Sequence, residues 1–86
     1  MILKAYAIRD SKAKAFMAPF FLPNDGVAIR AFSDNVNSES ANQISKHPDD
    51  FVLYSTGAWD DETGTFQSIT PEPLIRAVDV YNPPRS

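Results

Sequence analysis

Alternation opens the chain. From Met1 to Arg9 an extended segment carries Ile2, Lys4, Tyr6 and Ile8 on one face and Leu3, Ala5, Ala7 and Arg9 on the other, the period-two pattern of a strand. The Asp10-Ser11-Lys12 cluster ends it. The run Ala15-Phe16-Met17-Ala18-Pro19-Phe20-Phe21 is aromatic-rich and predicts a second strand; Pro19 lacks an N–H, which marks that strand as an edge or a site of a bulge. The two strands form a hairpin with Lys12 and Lys14 near its tip.

The period then changes to that of a helix. In Pro23-Asn24-Asp25-Gly26, Asn24 can accept from the free amides of a first turn, and Asp25 suits the positive end of the helix dipole. Val27, Ala28, Ala31, Phe32, Asn35 and Val36 make a stripe over Asn24–Val36, with Arg30 and Ser33 toward solvent. Asn37-Ser38-Glu39-Ser40 ends the helix. Ser38 to Asp50 has Ile44 as its one sizeable apolar residue and reads as a long surface loop with room for one helical turn.

Phe51 to Trp59 is β-branched and aromatic and bounded by turn formers, a strand signal. Asp60-Asp61-Glu62-Thr63-Gly64 reads as a hairpin turn with Gly64 in its left-handed position, and Thr65 to Ile69 as the returning strand. Pro71 and Pro73 break the pattern, and Leu74 to Val78 is either a short helix or a last strand. The expected fold is α+β: strand, strand, helix, strand, strand and a short final element, an antiparallel sheet with one main helix on one face. Residues 1–81 form the expected domain, with a flexible tail over 82–86. The expected core is Ile8, Phe20, Val27, Phe32, Val52, Tyr54 and Ile69.

Composition narrows the class. At 86 residues there is room for one core, and a domain of that size sits near the lower limit for folding alone, so dimerisation through the Pro19 edge would help. Ten aromatic residues and 43% hydrophobic residues argue against disorder. The absence of cysteine excludes disulfides and thiolate metal sites. Met1-Ile2-Leu3-Lys4 is too short for a signal-peptide apolar region, and no apolar run reaches membrane-spanning length. The chain reads as soluble and intracellular.

Charge adds an asymmetry to the net of −3. Residues 1–30 hold Lys4, Arg9, Lys12, Lys14 and Arg30 against Asp10 and Asp25, a net of +3; the remainder holds three cations and nine acids, a net of −6. Screening beyond roughly 8 Å at physiological salt lets a basic face act apart from an acidic back.

Few templates of chemistry fit. His47 beside Pro48-Asp49-Asp50 lacks the convergent ligands that zinc needs and reads as a turn. Asp60-Asp61-Glu62 lacks the alternating spacing of a calcium loop. Phosphate-loop, Walker and nucleophile-elbow patterns are missing, so neither catalysis nor a cofactor nor a metal is expected. The interleaving of Lys4, Tyr6, Arg9, Lys12, Lys14, Phe16, Phe20 and Phe21 reads either as a base-stacking platform or as core aromatics with solvated cations. Here the aromatics go to the core, and Lys4, Arg9, Lys12, Lys14 and Arg30 are the candidate nucleic-acid contacts.

Taken in order, Tyr6-Ala7-Ile8-Arg9-Asp10-Ser11-Lys12, Pro19-Phe20-Phe21, Arg30-Ala31-Phe32-Ser33-Asp34, Ser45-Lys46-His47-Pro48-Asp49-Asp50-Phe51 and Asp60-Asp61-Glu62-Thr63-Gly64 resemble the small nonstructural protein of gokushovirus-like microviruses, bacteriophages with circular single-stranded DNA. The resemblance covers nearly the whole chain. It implies a DNA-binding or packaging-associated protein of the host cytoplasm, absent from the mature virion, that helps shift genome synthesis from duplex replication to single-strand packaging. It carries over no binding residue. The expected function is therefore non-enzymatic binding of single-stranded DNA; the alternative is an adaptor that docks on the replication initiator, the procapsid or a host factor through Trp59 and the acidic Asp60-Asp61-Glu62.

Overall fold

Strand β1 (Ile2–Asp10) organises the sheet, pairing with three other strands. In the computed structural model, which describes residues 1–38 and 42–82, it is followed by β2 (Ala15–Phe16), β3 (Phe20–Leu22), α1 (Asp25–Val36), α2 (Gln43–Lys46), a 3₁₀ turn (Pro48–Asp50), β4 (Phe51–Asp60), β5 (Thr65–Arg76) and α3 (Ala77–Val80). The sheet is antiparallel, in the order β2-β1-β4-β5, with β3 also on the outer side of β1. The fold is α+β. Glu39 and Ser40 of the expected helix end lie outside the described residues, as does the expected tail apart from Asn82.

Side-chain alternation along β1 assigns the faces. Tyr6, Ile8 and their cross-strand neighbours Phe20, Leu53 and Ile75 lie on the helix side, where Tyr6, Ile8, Phe51 and Leu53 form the buried core with Ala28, Phe32 and Val36 of α1, Ile44 and Ala77. Burial at Ala28, Phe32 and Val36 makes a narrow i, i+4, i+8 stripe on α1. Asn24 caps the helix, its side chain accepting from the Val27 N–H at 2.9 Å.

Two polar contacts fix α1 against the rest. The buried Tyr6 hydroxyl donates to Asp25 Oδ1 at 2.7 Å, and Lys4 Nζ lies 3.4 Å from the same oxygen. The Tyr6 hydrogen bond, with Lys4 behind it, holds the Asp25 carboxyl below its ordinary range; burial pushes the Tyr6 phenol up. At the other end of α1, Asn37 Nδ2 donates to the carbonyls of Ser33 and Val80, and its Oδ1 accepts from the Asn82 N–H at 2.7 Å.

Several expectations change. Val27 lies outside the buried stripe and is exposed, and Ile69 is exposed because β5 is an edge that runs past the helices. Val52 and Tyr54 align with Arg9 and Ala7, on the sheet face opposite the core. The second strand is two short pieces separated by Met17–Pro19. Strand β5 continues through Pro71 and Pro73 to Arg76, with register shifts beside them. An edge strand needs ladder N–H groups on one side alone, so the prolines bend it without ending it. Leu74–Val78 divides between the end of β5 and the single turn of α3.

Candidate nucleic-acid interface

The sheet face away from the helices is built from small residues at its centre and aromatics around them. Ala5 and Ala7 of β1 occupy the middle. Phe16 pairs with Arg9, Phe21 with Ala5, Tyr54 with Ala7, Trp59 with Leu3, and Phe66 with Trp59. Cross-strand partners share a face, so five of the ten aromatic side chains stand on the helix-free side. They make two groups: Phe16 meets Tyr54 edge-on at 5.2 Å, while Phe21, Trp59 and Phe66 pack with centroids 4.5–6.4 Å apart. Phe16 is 44% and Phe66 68% exposed, far more than a core would leave. The assignment of Phe16 and Phe21 to the core is thus corrected; of the three, only Phe20 packs against it.

This arrangement needs two interruptions of the period. Tyr54 and Trp59 are five residues apart, and a regular strand would send them to opposite faces. The register shift between Ser55 and Gly57 leaves Thr56 unpaired and brings both to the same side. Gly57 adopts φ 149°, and a Cβ there would sit 2.1 Å from the Gln67 carbonyl oxygen, so only glycine fits. Phe16 and Phe21 are likewise five apart, and the break at Met17–Pro19 does for them what the bulge does for β4. Beside the second group lies an apolar cavity of about 220 Å³ bordered by Ala5, Pro19, Phe21, Gly57 and Phe66.

The cations divide. The Arg9 guanidinium lies 6.0 Å from the Phe16 ring centroid on the open face. Lys12 and Lys14 are in the turn that follows β1, both exposed; Lys12 borders a second cavity, of about 340 Å³, with Asp10, His47 and Asp50. These three share one end of the molecule. Lys4 points to the helix side and pairs with Asp25, and Arg30 is on the exposed side of α1. Arg76, not a candidate from the sequence, aligns with Val52 on the open face but donates twice to Asp79, at 3.0 and 3.2 Å. The Asp60–Glu62 turn puts acids at the far end. Among the described residues no cluster of three or more His, Cys, Asp or Glu could hold a metal.

The two hairpin turns are variants of one design. Asp10 Oδ1 accepts from the Lys12 N–H and Asp60 Oδ1 from the Glu62 N–H, each at 2.9 Å. Four residues after each Asp the backbone is left-handed, with φ 70° at Gly64 and φ 56° at Lys14. Glycine takes that conformation freely; lysine there is strained by ~1–2 kcal/mol. Lys14 thus holds an exposed charge in a strained position at the end of the aromatic face.

Architecture and site together define a one-sided α+β protein: a small antiparallel sheet, helices on one face, and an aromatic second face flanked by cations. No curated protein and no solved structure matches it. The model of the phage ORF5 protein family matches residues 3–80, and the chain belongs to that bacteriophage family. Among the described residues no helix is long and apolar enough to cross a membrane.

Proposed function

We propose that this protein is a non-enzymatic single-stranded DNA-binding protein whose helix-free sheet face stacks on bases while Arg9, Lys12 and Lys14 meet phosphates. The observation that carries the reading is the register placing Phe16, Phe21, Tyr54, Trp59 and Phe66 on one open face, with Arg9 beside Phe16. Unpaired strands offer base faces that a duplex hides, and base–aromatic stacking contributes ~1–3 kcal/mol per base without demanding a sequence. A net charge of −3 opposes coating of duplex by charge alone. Stacking by an aromatic face with a few local cations suits single strands better.

We further propose that this activity belongs to the host cytoplasm, during genome replication or the switch to packaging, and outside the mature virion; membership of a bacteriophage family and the gokushovirus-like resemblance support that reading. Trp59 lies inside the proposed surface and reports on it directly. Titration with an oligothymidylate at two salt concentrations is expected to quench Trp59 and to give a log K against log salt slope of about −2, from three phosphates at ~0.7 each. Binding through all five sequence candidates would give about −3.5. Absence of saturable binding at low salt overturns the proposal. Recovery of a viral or host protein after nuclease treatment, with no binding to DNA, would favour the adaptor reading instead.

A further inference from the structure

The two edges of the sheet are treated differently. On the β1 side the edge is broken into strands of two and three residues, with Met17, Ala18 and Pro19 between them and Pro23 after. Natural sheets blunt their edges in this way so that no other chain can add a strand. On the opposite side β5 offers a continuous run, Thr65-Phe66-Gln67-Ser68-Ile69-Thr70, with no proline and no glycine. No charge occurs between Glu62 and Glu72. Every residue of that run is exposed, Phe66 at 68% and Ile69 at 46%. Phe66 stands beside Trp59 on the open face, and Ile69 borders the helix-side cavity with Ile2, Lys4 and Leu74. The edge therefore carries an apolar side chain on each face, and it lacks the lysines and prolines that would repel a neighbour within those six residues; its pairing with β4 is regular over Thr65–Ser68 and shifts register after Ser68.

We infer that Thr65–Thr70 is a self-association strand, pairing antiparallel with the same segment of a second copy. The occupant follows from the chemistry of the segment. A run without charge has nothing with which to select a charged partner, whereas against its own copy it meets no repulsion across the paired residues. Antiparallel pairing is also compatible with a two-fold axis, the commonest symmetry of small assemblies. An axis perpendicular to the sheet keeps the two helix layers on one side. It joins the two aromatic faces into a single continuous surface on the other. Pro71 and Pro73 limit the pairing to these six residues. A second copy also supplies the buried surface that a chain of this length lacks.

The inference is independent of DNA binding and is tested without it. Sedimentation velocity of the full chain at ~0.1 mM, where a micromolar dimer would be nearly saturated, is expected to give twice the single-chain mass. Amide exchange over residues 65–70 should slow as concentration rises. Ile69→Lys, which places a charge on the helix side of the edge and leaves the aromatic face intact, should return the protein to a monomer while affinity per chain for a short oligonucleotide stays within twofold. A wild-type protein that sediments as a monomer overturns the inference, and so does a dimer whose residue 65–70 amides exchange independently of concentration. Should Ile69→Lys fail to fold, those wild-type measurements decide alone. Added salt should leave the dimer intact while weakening DNA binding, so a failed DNA titration beside an intact dimer removes the proposed function only.

Discussion

Replacing Lys14 by glycine should make the protein more stable and a poorer DNA binder. Lys14 holds φ 56°, at the position that Gly64 fills in the other hairpin turn. Left-handed backbone costs a residue with a Cβ ~1–2 kcal/mol, and the greater unfolded-state freedom of glycine returns ~0.5–1 kcal/mol of that gain. The net is a stabilisation of ~0.5–1 kcal/mol, or a Tm rise of about 2–8 °C for a domain this small. The same change removes one cation beside the aromatic face, which should make the log K against log salt slope shallower by ~0.7. Calorimetry and the Trp59 titration measure the two effects separately. Lys14→Asn is the control, since asparagine tolerates left-handed backbone but carries no charge; it should weaken binding as glycine does. A lower Tm for Lys14→Gly refutes the strain argument. An unchanged salt slope in both variants refutes a phosphate contact at this position.

Other substitutions separate surface from scaffold. Phe66→Ala, at a side chain 68% exposed, should change stability by less than ~0.5 kcal/mol and cost ~1–3 kcal/mol of DNA affinity by loss of one stacking ring; unchanged affinity in a titration would remove Phe66 from the site. Gly57→Ala forces a Cβ to 2.1 Å from the Gln67 carbonyl and should destabilise by ~3 kcal/mol or more, read as lower-denaturant unfolding together with loss of the Trp59 environment. Tyr6→Phe deletes the 2.7 Å bond to Asp25 and should cost ~1–2 kcal/mol at neutral pH. Because Asp25 is held below its ordinary range, this stabilisation is present above the unfolded carboxyl value of ~3.9 and is lost as pH falls through the lower folded value. The gap between wild type and Tyr6→Phe in urea melts should therefore narrow below pH ~4; a gap constant down to pH 2 would show that the carboxylate charge is irrelevant to the bond.

How much of this was legible in the sequence depended on whether a signal was local. Asn24 capping α1, the left-handed Gly64 and the alternation of β1 are each read from a few neighbouring residues, and the structure agrees with all three. The end of β5 was not legible, because proline stops a central strand and not an edge strand, and edge status depends on the pairing order of the whole sheet. The core list failed at Val52, Tyr54 and Ile69 for a related reason: hydrophobicity says that a strand residue prefers cover, and not which side of the sheet the helices cover.

The aromatic face is the sharpest case. Phe16 and Phe21, and again Tyr54 and Trp59, are five residues apart, an odd spacing that a period-two reading sends to opposite faces. Both pairs share a face because the chain is interrupted once between their members, at Met17–Pro19 and at Thr56. Pro19 and Gly57 were the visible traces of those interruptions, since proline and glycine within a strand pattern mark edges and bulges. Counting one skipped residue at each would have assembled the face from sequence. It would also have moved Phe16 and Phe21 out of the core, with Phe16 beside Arg9. Two independent interruptions bring aromatics to a surface on the other side of the sheet from the helix-packed core cluster, where they surround the buried Ala5 and Ala7 and still leave Phe16 and Phe66 exposed. The proposed binding surface accounts for that exposure.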